Sequence, residues 1–225
     1  IDGIAGEGRI YYRLFEQDGG HGLTFEAHNA GAALAALGVT QSVRGGHLII
    51  RGVPVQGGGK YDIAGNAELK NFTVVDLPAL ARLLNAFSPL GLQELLTGDG
   101  ISFSRMRAYF VWTKRPGPTP LSTPIEKIRI KNGRTSGASL GLTVEGDINR
   151  STGEMDINGT IVPAAILNKI VGGIPIIGAI LTGGSNAVFA ATYTMRGPKD
   201  NVAVTVNPLA TLAPGILRMI LFEEQ

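Results

Sequence analysis

LGLTVEGDINRSTGEMDINGTI, residues 140–161, decides how this chain folds. Leu140, Leu142, Val144 and Ile148 fall on one parity, and Thr143, Glu145, Asp147 and Asn149 on the other. After the turn-forming Ser151-Thr152-Gly153, the alternation resumes in Met155, Ile157, Gly159 and Ile161. A period of two places successive side chains on opposite faces of an extended strand. The stretch therefore predicts an antiparallel hairpin with one apolar face and one polar face.

The same pattern extends outward in both directions. Ile63, Gly65, Ala67 and Leu69 alternate with Asp62, Asn66, Glu68 and Lys70; Phe189, Ala191, Tyr193 and Met195 form another set, and Val202, Val204 and Val206 a third. Further strands are predicted near residues 8–17, 22–28, 47–53, 101–112 and 125–131. Asp18-Gly19-Gly20, Asn132-Gly133, Ser151-Thr152-Gly153 and Gly197-Pro198 have the composition of hairpin turns. Gly57-Gly58-Gly59-Lys60 resembles a phosphate loop, but Tyr61 stands where Ser or Thr belongs and a strand follows, so it reads as a hairpin loop.

Helical spacing interrupts the strands. Leu80, Leu83, Leu84 and Phe87 make one apolar stripe behind Asp76 and Pro78, followed by Leu90, Leu92, Leu95 and Leu96. Ile166, Leu167, Ile170 and Val171 make a second, followed by Ile176, Ile177, Ile180 and Leu181. A weaker Ala-rich helix is expected over 29–37. Pro78 and Pro163 are 85 residues apart, as are the Leu-Thr-Gly triplets at 96 and 181, which suggests a repeated helix-then-strand unit. Residues 161–182 carry one charge, Lys169, but Pro163, Gly172, Gly173 and Pro175 break them into two short amphipathic helices. These either plug the apolar face of the sheet or touch a membrane.

Composition narrows the function. Among 225 residues there are 32 glycines, 12 prolines and no cysteine; 44% are hydrophobic and 17% charged. That apolar content excludes a disordered chain, and the absence of a Gly-X-Y period excludes collagen. Twenty Lys and Arg against 18 Asp and Glu give a net charge of +2, which argues against a strongly basic nucleic-acid binder. Without cysteine there is no disulfide, no thiolate nucleophile and no cysteine-bound zinc.

The candidate chemical motifs are weak. Gly137-Ala138-Ser139-Leu140-Gly141 fits G-x-S-x-G, yet an alternating strand follows where a nucleophile elbow needs a helix, and no histidine lies downstream of Ser139. His21, His28 and His47 lack metal-ligand spacing and read as polar surface residues. Glu145, Asp147, Glu154 and Asp156 read as a solvated face relieved by Arg150, with like charges set diagonally; a hard-cation site is the competing reading. Lys127, Arg129 and Lys131 alternate with Ile128 and Ile130, as a soluble face, a protected sheet edge or a surface for anionic headgroups.

Longer stretches carry a family likeness. "GTIVPAAILNKIVGGIPIIGAILTGG" at 159–184 and "GPKDNVAVTVNPLATLAPGILRMIL" at 197–221 resemble the AsmA-like C-terminal region of large bacterial cell-envelope proteins, the group that includes AsmA, TamB and YhdP. Residues 73–103, "TVVDLPALARLLNAFSPLGLQELLTGDGISF", are similar to the segment that precedes it there. The proline-rich stretch at 116–124 is longer than the family pattern. The resemblance implies a periplasmic protein, held at the inner membrane by a segment outside this chain, whose long sheets curl into an apolar groove for phospholipids. It implies no enzyme activity and no cofactor.

The expected fold is mainly β with short helices: a curved antiparallel sheet forming a groove, with amphipathic helical hairpins packed on its apolar face. Residues 1–115 form a first half, 116–124 a proline-rich loop and 125–225 an AsmA-like second half, with one continuous domain as the alternative. Phe103, Leu142, Val144, Phe189, Tyr193 and Met195 are the candidate acyl-chain contacts. Leu83, Leu84, Ile166, Ile170, Ile176, Ile177, Ile180 and Leu181 are the candidate plug or membrane contacts. Phospholipid, a membrane surface or envelope proteins are the expected partners, nucleic acid is not, and no metal is expected. The alternative function is an envelope assembly or scaffold module whose filled groove docks another envelope protein.

Overall fold

The computed structural model describes residues 2–5, 8–17, 20–75, 100–117, 119, 122–163 and 191–207. These form one antiparallel sheet of eleven strands, each hydrogen-bonded to the strand next in sequence. The first five are β1 (Asp2–Ala5), β2 (Gly8–Gln17), β3 (Gly20–Ala27), β4 (Val43–Pro54) and β5 (Ile63–Val74). They are followed by β6 (Ile101–Arg115), β7 (Ile125–Gly137), β8 (Leu140–Asn149), β9 (Glu154–Pro163), β10 (Ala191–Pro198) and β11 (Ala203–Asn207). The protein is thus mainly β, and the proline-rich loop joins two neighbouring strands of that sheet, β6 and β7.

Period-two patterning becomes a two-faced sheet because the register aligns apolar parities across strands. One row runs Leu14, Leu23, Gly52, Gly65, Phe110, Ile130, Gly146, Ile157, Met195 and Val204, from β2 to β11 without a charged residue. Where this face passes glycine, the neighbouring chain sits too close for a side chain. A Cβ at Gly65 would collide with the Arg51 carbonyl oxygen, and one at Gly159 with that of Thr143. Tyr193, directly opposite Gly159, fills the space and donates its hydroxyl to the Thr143 carbonyl at 2.7 Å.

Bulges keep the parity in phase. Lys70 and Phe72 are two residues apart, yet Lys70 is ion-paired on the polar face while Phe72 is buried in the core. The switch occurs at Asn71, with φ 51°, and the register skips there from Gly45↔Phe72 to His47↔Lys70. β6 carries a register shift between Phe103 and Arg105, where it advances two residues against one of β7. Each extra residue bends its strand and raises its twist. Asn132, expected in a hairpin turn, is a bulge inside β7 with φ 49°, because asparagine tolerates the left-handed conformation that a bulge requires as readily as one in a turn. Gly197-Pro198 ends β10, and the turn falls on the following residues.

α1 (Ala30–Ala36) is the one helix among the described residues. Asn29 caps it by accepting from the Ala32 N–H at 3.1 Å, and Gly38, with φ 65°, lies just past its end. Ala30 and Ala33 are fully buried in the same cluster as Leu48 and Phe72. The helical segments expected at 78–96 and 163–181 lie outside the described residues apart from Pro163, which ends β9 and does not open a helix.

On the polar face, charges form short cross-strand rows. Asp147 and Asp156 are directly opposite each other, not diagonal, and each is relieved from its other side: Arg129 donates to Asp147 at 2.8 and 3.2 Å, and Arg196 to Asp156 at 3.0 Å. Arg150 does not serve them; its guanidinium lies 5.9 Å from the centre of the Trp112 ring. Lys127, Arg129 and Lys131 belong to β7, an interior strand, so they guard no sheet edge. Exposed pairs of this kind are worth about 0–1 kcal/mol each, so they set solubility and register more than stability.

Candidate functional site

The apolar face is the candidate site, and its two ends differ. The connections that run through α1, through 76–99 and through 164–190 all leave from one end of the sheet, the end of Ala27, Val74 and Pro163. Short hairpins dominate the other. Near the first end the face is closely packed: Phe103 is 4% exposed, Leu142 8% and Tyr193 2%, and the Phe72 and Phe103 rings stack 5.3 Å apart. Burial pushes the Tyr193 hydroxyl pKa upward, so it stays a neutral donor.

Toward the hairpin end the face opens. Ile50, Phe110, Ile130, Val144, Ile148, Met155 and Met195 are only partly buried, and Leu14 is 55% exposed. The expected acyl contacts therefore divide: Phe103, Leu142 and Tyr193 lie in the buried band, and Val144 and Met195 in the half-open band. Phe189 lies outside the described residues, as do Leu83, Leu84, Ile166, Ile170, Ile176, Ile177, Ile180 and Leu181. Ile50, Phe110 and Ile130 were not anticipated. β4 and β6 place apolar residues on both faces, in Leu48-Ile49-Ile50 and Tyr109-Phe110-Val111-Trp112, so parity there is unreadable without the register.

Trp112 marks the edge of the open band. It is paired with Ile63 and Ile128, its indole N–H is enclosed and has no hydrogen-bond partner among the described residues, and the Arg150 guanidinium sits over its ring. The same end is clamped by Asp62, which is 2% exposed. Its carboxylate accepts from Arg115 at 2.5 and 2.7 Å, from the Gly59 N–H at 2.9 Å and from the Lys114 N–H at 3.3 Å. The Arg115 hydrogen bonds outweigh burial and hold the Asp62 carboxyl at about 2.

The opposite face carries a shallow hollow of about 570 Å³ lined by Arg51, Asn66, Glu68, Arg107, Tyr109 and Arg134 among others. Partial burial would raise the Glu68 pKa, but hydrogen bonds from Arg107 and Arg105 overcome it and hold the carboxyl below its usual range. Ser139 sits in the tight turn between β7 and β8, the strand-to-strand geometry that an elbow excludes. The histidines are less scattered than their spacing suggests: His47 and His28 approach the same carboxylate, Glu26.

Comparison of the chain with protein-family models, with curated proteins and with solved structures finds no match.

Proposed function

We propose that this chain is a non-enzymatic segment of a periplasmic, inner-membrane-anchored protein of the AsmA-like kind, and that it binds or guides phospholipid acyl chains along its apolar sheet face. The observation that carries the reading is the half-open band, partly exposed apolar side chains contributed by β4, β6, β7, β8, β9 and β10. Acyl chains need no directional partner, only apolar surface, at about 25 cal/mol for each Å² withdrawn from water. A curved sheet would wrap this band around the chains as a groove. At the band's edge, the exposed Arg150 guanidinium supplies a positive charge suited to a phosphate headgroup.

A second reading, an assembly or scaffold module with a filled groove, draws on the buried band, where Phe103 and Tyr193 leave no space for a ligand. Native mass spectrometry of the purified chain with mixed phospholipids separates the two. The conduit reading expects bound phospholipid that Met195→Asp and Val144→Asp abolish while the circular dichroism spectrum is kept. An absence of lipid adducts in the unaltered chain favours the scaffold.

A further inference from the structure

Two of the chain's three histidines converge on a single carboxylate. Glu26 is the next-to-last residue of β3, on the polar face; His28 follows it by two residues, just past the strand, and His47 lies on the adjacent strand β4. The Glu26 Oε1 is 2.8 Å from the His47 Nε2 and 3.8 Å from the His28 Nε2, and one donor atom from each of the three lies within 4.8 Å of the others. The two imidazole rings meet edge to face, with centroids 5.1 Å apart.

We propose that Glu26, His28 and His47 form a site for a divalent transition-metal ion such as Zn²⁺, Ni²⁺ or Co²⁺. Two imidazoles and one carboxylate make a donor set of intermediate softness, which these ions favour over Ca²⁺ or Mg²⁺. Metal–donor bonds of about 2.0–2.1 Å in a tetrahedron set donor atoms about 3.3 Å apart. The present separations bracket that value, so small side-chain rotations close the set. Three protein ligands leave the fourth position to water or to an outside donor.

The backbone holds this cluster in place. The His28 N–H donates to the Arg9 carbonyl at 3.0 Å, and the next residue, Asn29, caps α1. A Cβ at Gly8 would strike Asn29, so β2 sits tightly beneath the turn. Lys70 is opposite His47 across the β4–β5 pair, and its ammonium lies 3.6 Å from the Glu68 carboxylate. The His47–Glu26 hydrogen bond alone gives these residues a structural role, so the distinguishing property is stoichiometric metal uptake.

The test is isothermal titration calorimetry of the untagged chain with ZnCl₂ and NiCl₂, with CoCl₂ absorption in the visible to report geometry. One ion per chain is expected. His47→Gln, His28→Gln and Glu26→Gln should each weaken it about 10-fold or more, at least the loss seen when an outer-shell partner is removed from a metal site. His21→Gln should not weaken it, because His21 is stacked on Tyr61 at the other end of β3. No saturable binding by the folded chain overturns the proposal. So does binding that survives the three substitutions, or that falls equally with His21→Gln.

Discussion

The two ends of the apolar face are built from the same residue types in the same alternation, yet one is a closed core and the other is half open. Phe103, Leu142 and Tyr193 lie toward the end of the sheet where α1 leaves it; Val144, Met195 and Phe110 lie toward the opposite end. A tight hairpin brings no additional layer onto the sheet, whereas α1 places Ala30 and Ala33 directly against it. Apolar patterning therefore fixes which face is inward, and α1 adds cover to that face beside β4. A ligand surface belongs on the less covered half.

The largest expected effect is the difference between truncations in the two bands. Phe103→Ala removes a buried, stacked ring and should cost about 3–5 kcal/mol in urea unfolding. Met195→Ala, half exposed, should cost about 1 kcal/mol. Equal losses would erase the distinction between the bands.

Next is the clamp at the hairpin end. The Asp62 pKa is depressed in the folded chain, so its stabilisation is complete above the unfolded value near 3.9 and is lost as pH falls toward 2. Wild-type stability should fall by roughly 2 kcal/mol more than that of Asp62→Asn between pH 5 and pH 2. Parallel pH profiles would mean that the Arg115 pairing contributes nothing at this end.

Smaller still is Tyr193→Phe, which strands the Thr143 carbonyl in the closed band and should cost about 1 kcal/mol by denaturant titration. Arg196→Ala, on the solvated face, sets the baseline at less than about 1 kcal/mol, falling further with added salt. An Arg196 effect exceeding the Tyr193 effect would move the stabilising weight from the apolar face to the ionic rows.

Most of the strand layout was legible because the alternation is strong in 140–161 and 191–206, and the run of alanines announced α1. Asn132-Gly133 misled because a hairpin turn and a bulge need the same left-handed backbone; only the strand on either side distinguishes them. The diagonal placement expected for the acids failed by one register step, which no single strand can reveal. The candidate site was half legible. Parity put Val144 and Met195 on the apolar face, but it does not say how far each is exposed. The Glu26–His28–His47 cluster was invisible because its donors come from two strands separated by a helix.

The most direct test of the half-open band uses the chain's single tryptophan, Trp112, which sits at its edge. Its fluorescence would be recorded during titration with phospholipids carrying brominated acyl chains and, separately, with their unbrominated counterparts. Acyl chains lying on this face should quench Trp112 with the brominated lipid only, saturably, and Met195→Asp should abolish the quenching. Lipid that binds to the chain while Trp112 emission is the same with both lipids would contradict the assignment of this face as the lipid surface.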